Sequence, residues 1–118
     1  MLERCYPGLL AGGWKDLAYE QFRLGISVHW LVKGNADEAS LAILKYEPGA
    51  RVPRHLHAGL ETIMILDGTQ SDENGTYAAG TVVTNARGTT HSVWSEEGCA
   101  VLIHWSLPVV ILDEGKAS

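Results

Sequence analysis

Residues 49–68 read GARVPRHLHAGLETIMILDG, and they place His55, His57 and Glu61 at even offsets from one another. Side chains at even offsets on an extended strand point to one face, so two imidazoles and a carboxylate are predicted to converge. His91 follows Gly80 by eleven residues and can join them from a neighbouring strand. This pattern predicts a mononuclear metal site on a small β-barrel.

The predicted ligands, three histidines and one glutamate, are typical of a catalytic or ligand-sensing metal. Neutral imidazole and carboxylate suit divalent zinc, iron, manganese, nickel or copper. Four such ligands leave one or two positions open on a five- or six-coordinate ion, whereas a closed structural site more often uses thiolates. We therefore predict one divalent ion per chain, with zinc or iron ahead of manganese and nickel.

Four glycines accompany the predicted ligands. Gly49, Gly68, Gly80 and Gly88 are each predicted to sit at a sharp turn where φ is positive, a conformation that glycine adopts without steric cost. A His-x-His pair alone often arises by chance within a strand. The pair, the spaced glutamate, the glycines and the distant histidine together argue against that interpretation.

Short β-rich runs between closely spaced turn signals predict an all-β protein. Asn74-Gly75 is a strong hairpin signal, predicted to turn the chain into a short strand. Residues 19–24 fit either a turn of helix or a strand, and no amphipathic helix is evident. Strands are predicted over residues 25–33, 40–47, 60–66, 76–77, 80–84, 91–95, 99–107 and 109–112.

The length and charge of the chain limit what it can be. At 118 residues it has room for one domain, for which we predict an N-terminal arm or tail over 1–13, a barrel over 14–113 and a C-terminal tail or arm over 114–118. Nine basic residues are scattered and the net charge is −5, so no nucleic-acid surface is expected. No apolar run approaches the ~20 residues of a membrane span, and the start lacks a signal-peptide pattern. We predict no membrane partner and a cytoplasmic location.

Several further residues are candidates for supporting roles. His104 is a candidate for a side chain that orients one of the metal ligands or transfers a proton, since histidine titrates near neutrality. A hydrogen-bonded polar group of the core is the alternative for His104. Asp72 is interpreted as a turn or surface residue. Cys99, at the head of an apolar strand, is predicted to be a buried thiol, and Cys5 is assigned no role.

Two segments resemble the cupin superfamily. Residues 49–68 are similar to the first cupin motif, glycine-x5-His-x-His-x3-Glu-x6-glycine, at every defined position. Residues 80–95 are similar to the second motif at Gly80, Gly88 and His91, whereas Ala86 replaces its proline and Ser95 its asparagine. The resemblance implies a jelly-roll barrel, also called a double-stranded β-helix. It also implies a metal bound by His55, His57, Glu61 and His91.

A closer resemblance covers about half of the chain. Residues 46–103 are similar to the cupin domain of ChrR-type anti-sigma factors, through the patterns PGAxxPxHxHxGxE, DGxxSDExGxYxAG and HxxxSxEGC. In those proteins a separate zinc-binding domain precedes the cupin and binds the sigma factor. Here the first strand is expected near Trp14, so a sigma-factor partner is not expected.

Two functions from different classes follow from the resemblance. Stand-alone relatives include dioxygenases that cleave carbon–carbon bonds in small diketones and hydroxy-ketones, so a metal-dependent enzyme is the first hypothesis. The alternative is a module that binds or senses a small ligand through its metal, without catalysis. Cupins of this size usually pair through their sheets, so a homodimer is expected.

Overall fold

The computed structural model describes residues 4–112, and ten β-strands dominate this part of the chain. The predicted C-terminal tail, residues 114–118, lies outside the described residues. Within this range no helix is long and apolar enough to cross a membrane. The strands are β1 Glu20–Arg23, β2 Ile26–Val32, β3 Ser40–Tyr46, β4 Arg51–Leu56, β5 Glu61–Asp72, β6 Gly75–Ala78, β7 Val82–Asn85, β8 Thr90–Trp94, β9 Cys99–Trp105 and β10 Val110–Ile111.

The strands form two curled sheets whose neighbouring strands are all antiparallel. One sheet contains β1, β2, β3, β9, β5 and β7, and the other contains β10, β4, β8, β5 and β6. Strand β5 belongs to both, because its first half pairs with β7 and β9 and its second half with β6 and β8. The predicted all-β jelly-roll barrel is confirmed.

Strand β5 is longer than predicted, because Gly68 bends the strand and does not end it. The strand continues to Asp72, and its register with β9 shifts between Ile65 and Asp67. Gly68 has φ 71°, and a Cβ at this position would overlap the carbonyl oxygen of Gly98. A bulge of this kind increases the local bend, which lets one strand pass from one sheet to the other.

Other local predictions are settled by the strand pairing. Residues 19–24, left open between helix and strand, contain β1, which pairs with β2. The hairpin at Asn74-Gly75 is confirmed, with Asp72 opposite Gly75 across the turn. The predicted positive φ is also confirmed, at 84° for Gly49, 92° for Gly80 and 90° for Gly88.

The main core lies between the two sheets, and a smaller cluster lies on the outer face of the first. The smaller cluster contains Trp14, Ile43 and Ala100, and Leu9 packs against it. Leu9 belongs to a short 3-10 helix within the predicted arm, so that part of the arm covers the sheet. The boundaries of the predicted arm and barrel stay a prediction. Buried members of the main core include Ile26, Val28, Leu44, Ile63, Ile65, Val101 and Ile103.

The two cysteines are in different environments. Cys99 is buried, as predicted, and burial raises the pKa of its thiol to about 11. Cys5 is exposed, and both thiols are free. At neutral pH Cys99 therefore stays a protonated, buried thiol, which is a poor nucleophile and a poor metal ligand.

Candidate metal centre

The four predicted ligands meet between the two sheets, by a route that differs from the predicted one. His55 lies in β4 and His57 directly after it, but the chain then turns, and Glu61 begins β5. The prediction that these three share one strand face is therefore wrong. His55 instead lies opposite His91 of β8 in one sheet, while the first half of β5 brings Glu61 from the other.

The cluster is compact and buried. One ligand atom from each of the four side chains lies within 4.8 Å of the others. All four side chains are buried, with exposed fractions between 1% and 5%. The three imidazole rings have centroids 4.6–5.1 Å apart and meet edge to face. These spacings suit ligands arranged around one ion.

Each histidine is oriented by an acceptor at its Nδ1 atom. Nδ1 of His55 is 2.8 Å from the carbonyl oxygen of Pro53, and Nδ1 of His57 is 3.0 Å from that of Thr89. Nδ1 of His91 is 3.2 Å from a carboxylate oxygen of Asp72. Because these oxygens only accept, each Nδ1 is the donor, and in the neutral ring each Nε2 then keeps a free lone pair.

The free lone pairs show that a cation fits the site. Among the described residues, the buried Nε2 atoms of His57 and His91 have no hydrogen-bond partner. Oε1 of Glu61 lies 3.3 Å from Nε2 of His57 and 3.9 Å from Nε2 of His91. A carboxylate oxygen so close to nitrogen lone pairs is repelled unless a proton or a metal ion lies between them. A divalent ion satisfies all of these atoms at once.

Hydrogen bonds hold Glu61 as an ionised ligand. Its Oε2 accepts a bond of 2.8 Å from Nε1 of Trp105, and its Oε1 accepts one of 3.0 Å from Nδ2 of Asn85. Burial alone would raise the pKa of the Glu61 carboxyl, but its interactions with His57, His55 and Trp105 lower that pKa. Burial, together with the neighbouring imidazoles, lowers the pKa of His55. Glutamate is thus charged and His55 neutral at neutral pH, the states in which both bind a metal.

Asp72 supports the centre, which corrects its interpretation as a turn or surface residue. Its side chain is buried, and Oδ2 faces Nδ1 of His91. Its Oδ1 accepts hydrogen bonds of 2.8 Å from the backbone N–H of Asn74 and from the hydroxyl of Tyr77. These bonds fix a carboxylate behind the imidazole, which orients the ring toward the cluster.

We expect Asp72→Asn to weaken metal binding by about 10–100-fold, because it removes the charge behind His91. Competition with a chelator of known affinity measures this change. The matched control is Asp67→Asn, since Asp67 is exposed and lies on the same strand. Equal affinity in the two variants would show that Asp72 does not tune the centre.

The structure corrects the prediction for His104, since it does not bring this residue to the cluster. Ile103 and Trp105, its neighbours in β9, line the cavity beside the metal ligands. Alternation along the strand therefore turns His104 to the outer face, which it shares with Leu102 of the smaller cluster. Trp105, and not His104, holds a metal ligand in place, through its hydrogen bond to Glu61.

A cavity of about 330 Å³ adjoins the cluster and includes His55 and Glu61 in its wall. Most of its remaining wall is apolar. Phe22, Trp30 and Trp105 form one aromatic side, with ring centroids 5.9–6.1 Å apart. The volume is near the lower end of the range for small-molecule sites, so a small, largely apolar ligand fits beside the centre.

A family model described as "ChrR Cupin-like domain" matches residues 11–108. A chain from the crystal structure of Rhodobacter sphaeroides SigE in complex with the anti-sigma ChrR is 27% identical, with a TM-score of 0.67. That alignment covers 77% of this chain and 49% of the other, so this chain spans about half the length of that relative. No curated protein shows a significant match.

Two enzymes share the fold at lower identity. An acetylacetone dioxygenase from Acinetobacter johnsonii is 20% identical, with a TM-score of 0.72, over 84% of this chain and 75% of that one. The polyketide cyclase RemF from Streptomyces resistomycificus is 19% identical, with a TM-score of 0.72, over 95% and 86%. At these identities the likeness shows the fold alone.

Proposed function

Because this chain belongs to the ChrR cupin-like domain family, we propose that it is a metal-dependent enzyme of the dioxygenase type. Its substrate is a small keto or hydroxy-ketone compound. The observation that carries the proposal is the buried cluster of imidazole and carboxylate ligands beside an apolar cavity. The ion is zinc or iron, with manganese and nickel as alternatives. Its ligands are His55, His57, Glu61 and His91.

The charge of the centre favours a substrate that binds as a monoanion. Three neutral histidines and one carboxylate around a divalent ion leave a net charge of +1. A keto-enolate carries one negative charge and two oxygens that can occupy adjacent open positions. Such a ligand neutralises the charge of the ion with its four ligands and chelates through both oxygens, neither of which a neutral monoketone can do.

The chain's own residues bind, orient and protect this substrate. A divalent metal supplies Lewis-acid polarisation of a carbonyl, and a redox-active one also passes electrons between substrate and dioxygen. Trp105 and Asn85 keep Glu61 ionised, and Asp72 holds the ring of His91. The apolar walls exclude water. One carbon–carbon bond breaks and each fragment takes one atom of dioxygen, giving an acid and a carbonyl compound with no external reductant.

A binding or sensing module without catalysis is the second candidate. The observation that favours it is the 27% identity to a chain of the SigE complex with the anti-sigma ChrR. In this alternative the cavity holds a small ligand at the metal and no bond is broken.

The test combines metal analysis with oxygen uptake. Protein purified without chelators is analysed for metal, reconstituted anaerobically with Fe(II) or Zn(II), and given acetylacetone and a hydroxy-ketone in air. The enzyme hypothesis predicts about one ion per chain and substrate-dependent oxygen uptake by the iron form only. His104→Gln is the control, because this residue lies on the outer face and its variant should match the wild type. Stoichiometric metal and ligand binding without oxygen uptake would favour the sensing module.

The proposal includes a homodimer in the cytoplasm. Strand β1 lies at the edge of its sheet; Phe22 within it is 40% exposed, and Leu24 just after it is 88% exposed. Exposed edges with apolar side chains are prone to pair with another chain. Light scattering should give about twice the monomer mass, and a monomer at high micromolar concentration would contradict this part of the proposal.

A further inference from the structure

Gln70 is a buried amide whose hydrogen bonds are incomplete. Its side chain is 3% exposed, and its Nε2 atom has no hydrogen-bond partner within residues 4–112. A buried donor without a partner destabilises the fold, because it loses its hydrogen bonds to water and gains none in return. A metal ion at the candidate centre would satisfy the other two such atoms, on His57 and His91, but Gln70 does not belong to the ligand cluster.

The Gln70 side chain lines the same cavity as the metal ligands. Its cross-strand partner is Tyr77, and its same-face neighbour along β5 is Asp72, which orients His91. Tyr46 lies beside the amide; burial raises the pKa of Tyr46, and its interactions with the Gln70 amide and with Arg23 lower that pKa only in part, so the hydroxyl stays protonated. Val52 and Val93 are apolar parts of the same cavity wall. A ligand in the cavity is therefore the natural partner for this donor.

The strand register separates Gln70 from the metal ligands. Strands β5 and β8 pair Ser71 with Trp94 and Asp72 with Val93. If this pairing is extended by one residue, Gln70 lies opposite Ser95. Ser95 is four residues after His91, which corresponds to about 13 Å of backbone along the strand. The backbone of Gln70 is thus displaced along the barrel from that of His91, although its side chain lines the same cavity as His55 and Glu61. A third oxygen, on a part of the ligand that reaches down the cavity from the metal, is the partner that fits Nε2.

We propose that Gln70 is a specificity-determining residue that donates a hydrogen bond to a non-coordinating oxygen of the substrate. The substrate class is thereby narrowed to chelating diketone-like compounds that carry an additional carbonyl or hydroxyl oxygen. This inference rests on the proposed function, because it takes the metal end of the ligand as given.

Hydrogen bonding of this kind discriminates strongly in an apolar cavity. A ligand that lacks the third oxygen leaves the amide unpaired, whereas a ligand that has it satisfies both groups. Without Gln70 the same oxygen would lose this donor, and burial of an oxygen with fewer hydrogen bonds is unfavourable. Gln70 therefore favours ligands that carry the third oxygen, and its loss should remove that preference.

Two probes of equal carbon length test the inference: heptane-2,4,6-trione and heptane-2,4-dione. Calorimetric titration of the Zn(II)-loaded protein, with iron and turnover absent, should give about tenfold tighter binding of the trione. Gln70→Met keeps the length of the side chain but removes the donor. In that variant the preference should fall to one or below, with zinc content and affinity for the dione unchanged.

A control and a direct readout make the test decisive. Ile63→Val changes the same cavity without touching a polar group, so it should alter the affinity for both probes by the same factor. The side-chain amide resonance of Gln70, assigned by its loss in Gln70→Met, should shift with the trione and not with the dione. An unchanged preference in Gln70→Met, or no preference in the wild type, would overturn the role of Gln70 alone. A protein that takes up no zinc would overturn the proposed function and this inference with it.

Discussion

Replacing His57 with alanine is expected to lower the affinity for a divalent ion by more than about 100-fold. Loss of a hydrogen-bond partner behind a ligand already costs about 10–100-fold, and here the ligand itself is lost. His57 is the most buried of the three histidines, at 1% exposure, so solvent cannot readily replace its nitrogen. Metal analysis after dialysis should find about one ion per chain in the wild type and almost none in the variant.

The same substitution should remove the stabilisation that metal gives to the fold. Saturating an ion at 100 times its Kd stabilises the native state by about 2.7 kcal/mol. Thermal unfolding of the wild type should therefore shift upward when metal is added, while that of His57→Ala should not. His104→Gln is the matched control, because it removes an imidazole from the outer face of the same barrel. If His57→Ala retained one ion per chain, the candidate centre would be wrong.

Of the glycine substitutions in the barrel, Gly68→Ala should lower the free energy of unfolding strongly. The positive φ of 71° costs a residue with a Cβ about 1–2 kcal/mol. The new methyl group would also overlap the carbonyl oxygen of Gly98, and relief of such overpacking costs about 1–3 kcal/mol. Together these give a loss of about 2–5 kcal/mol in the free energy of unfolding, measurable by urea denaturation.

Gly80→Ala separates the two causes of that loss. Gly80 has φ 92°, yet a Cβ there would meet no heavy atom within 4 Å. Its substitution should cost only the conformational penalty of about 1–2 kcal/mol. If Gly68→Ala were no less stable than Gly80→Ala, the close approach of Gly98 would carry no weight in the bend of β5.

The candidate ligands could be predicted from the sequence, because histidine and glutamate residues spaced closely along the chain stay close in space. This prediction holds even though the local structure expected between them was wrong. His55, His57 and Glu61 were expected on one face of one strand, and they meet although a turn divides them. The β-class of the fold is predictable for a similar reason, since alternation and turn residues are local signals. The strand predicted over residues 60–66 was expected to end before Gly68, but β5 continues to Asp72. Only the tertiary contact with Gly98 shows whether such a glycine bends a strand or ends it.

Supporting residues could not be predicted, because their roles depend on register between distant strands. In the sequence, Asp72 lies next to the turn at Asn74. No pattern in the neighbouring residues indicates that its side chain contacts His91. Trp105 and His104 are adjacent, and the choice between them depends on which face of β9 turns inward. The DGxxSDExGxY pattern could have indicated that Asp72 is held in place. Tyr77 is its diagonal neighbour across the hairpin and donates a hydrogen bond to it.

The membership of β5 in both sheets has a consequence for how the protein opens. A sandwich whose sheets share no strand can separate along the plane between them, but here that plane is crossed by a continuous backbone. Glu61 and Asp72, at opposite ends of this strand, support the same cluster of side chains. Partial unfolding that frees one sheet would therefore disturb both supports at once. The amide hydrogens of β5 should be among the slowest to exchange with solvent, through events that unfold the whole barrel.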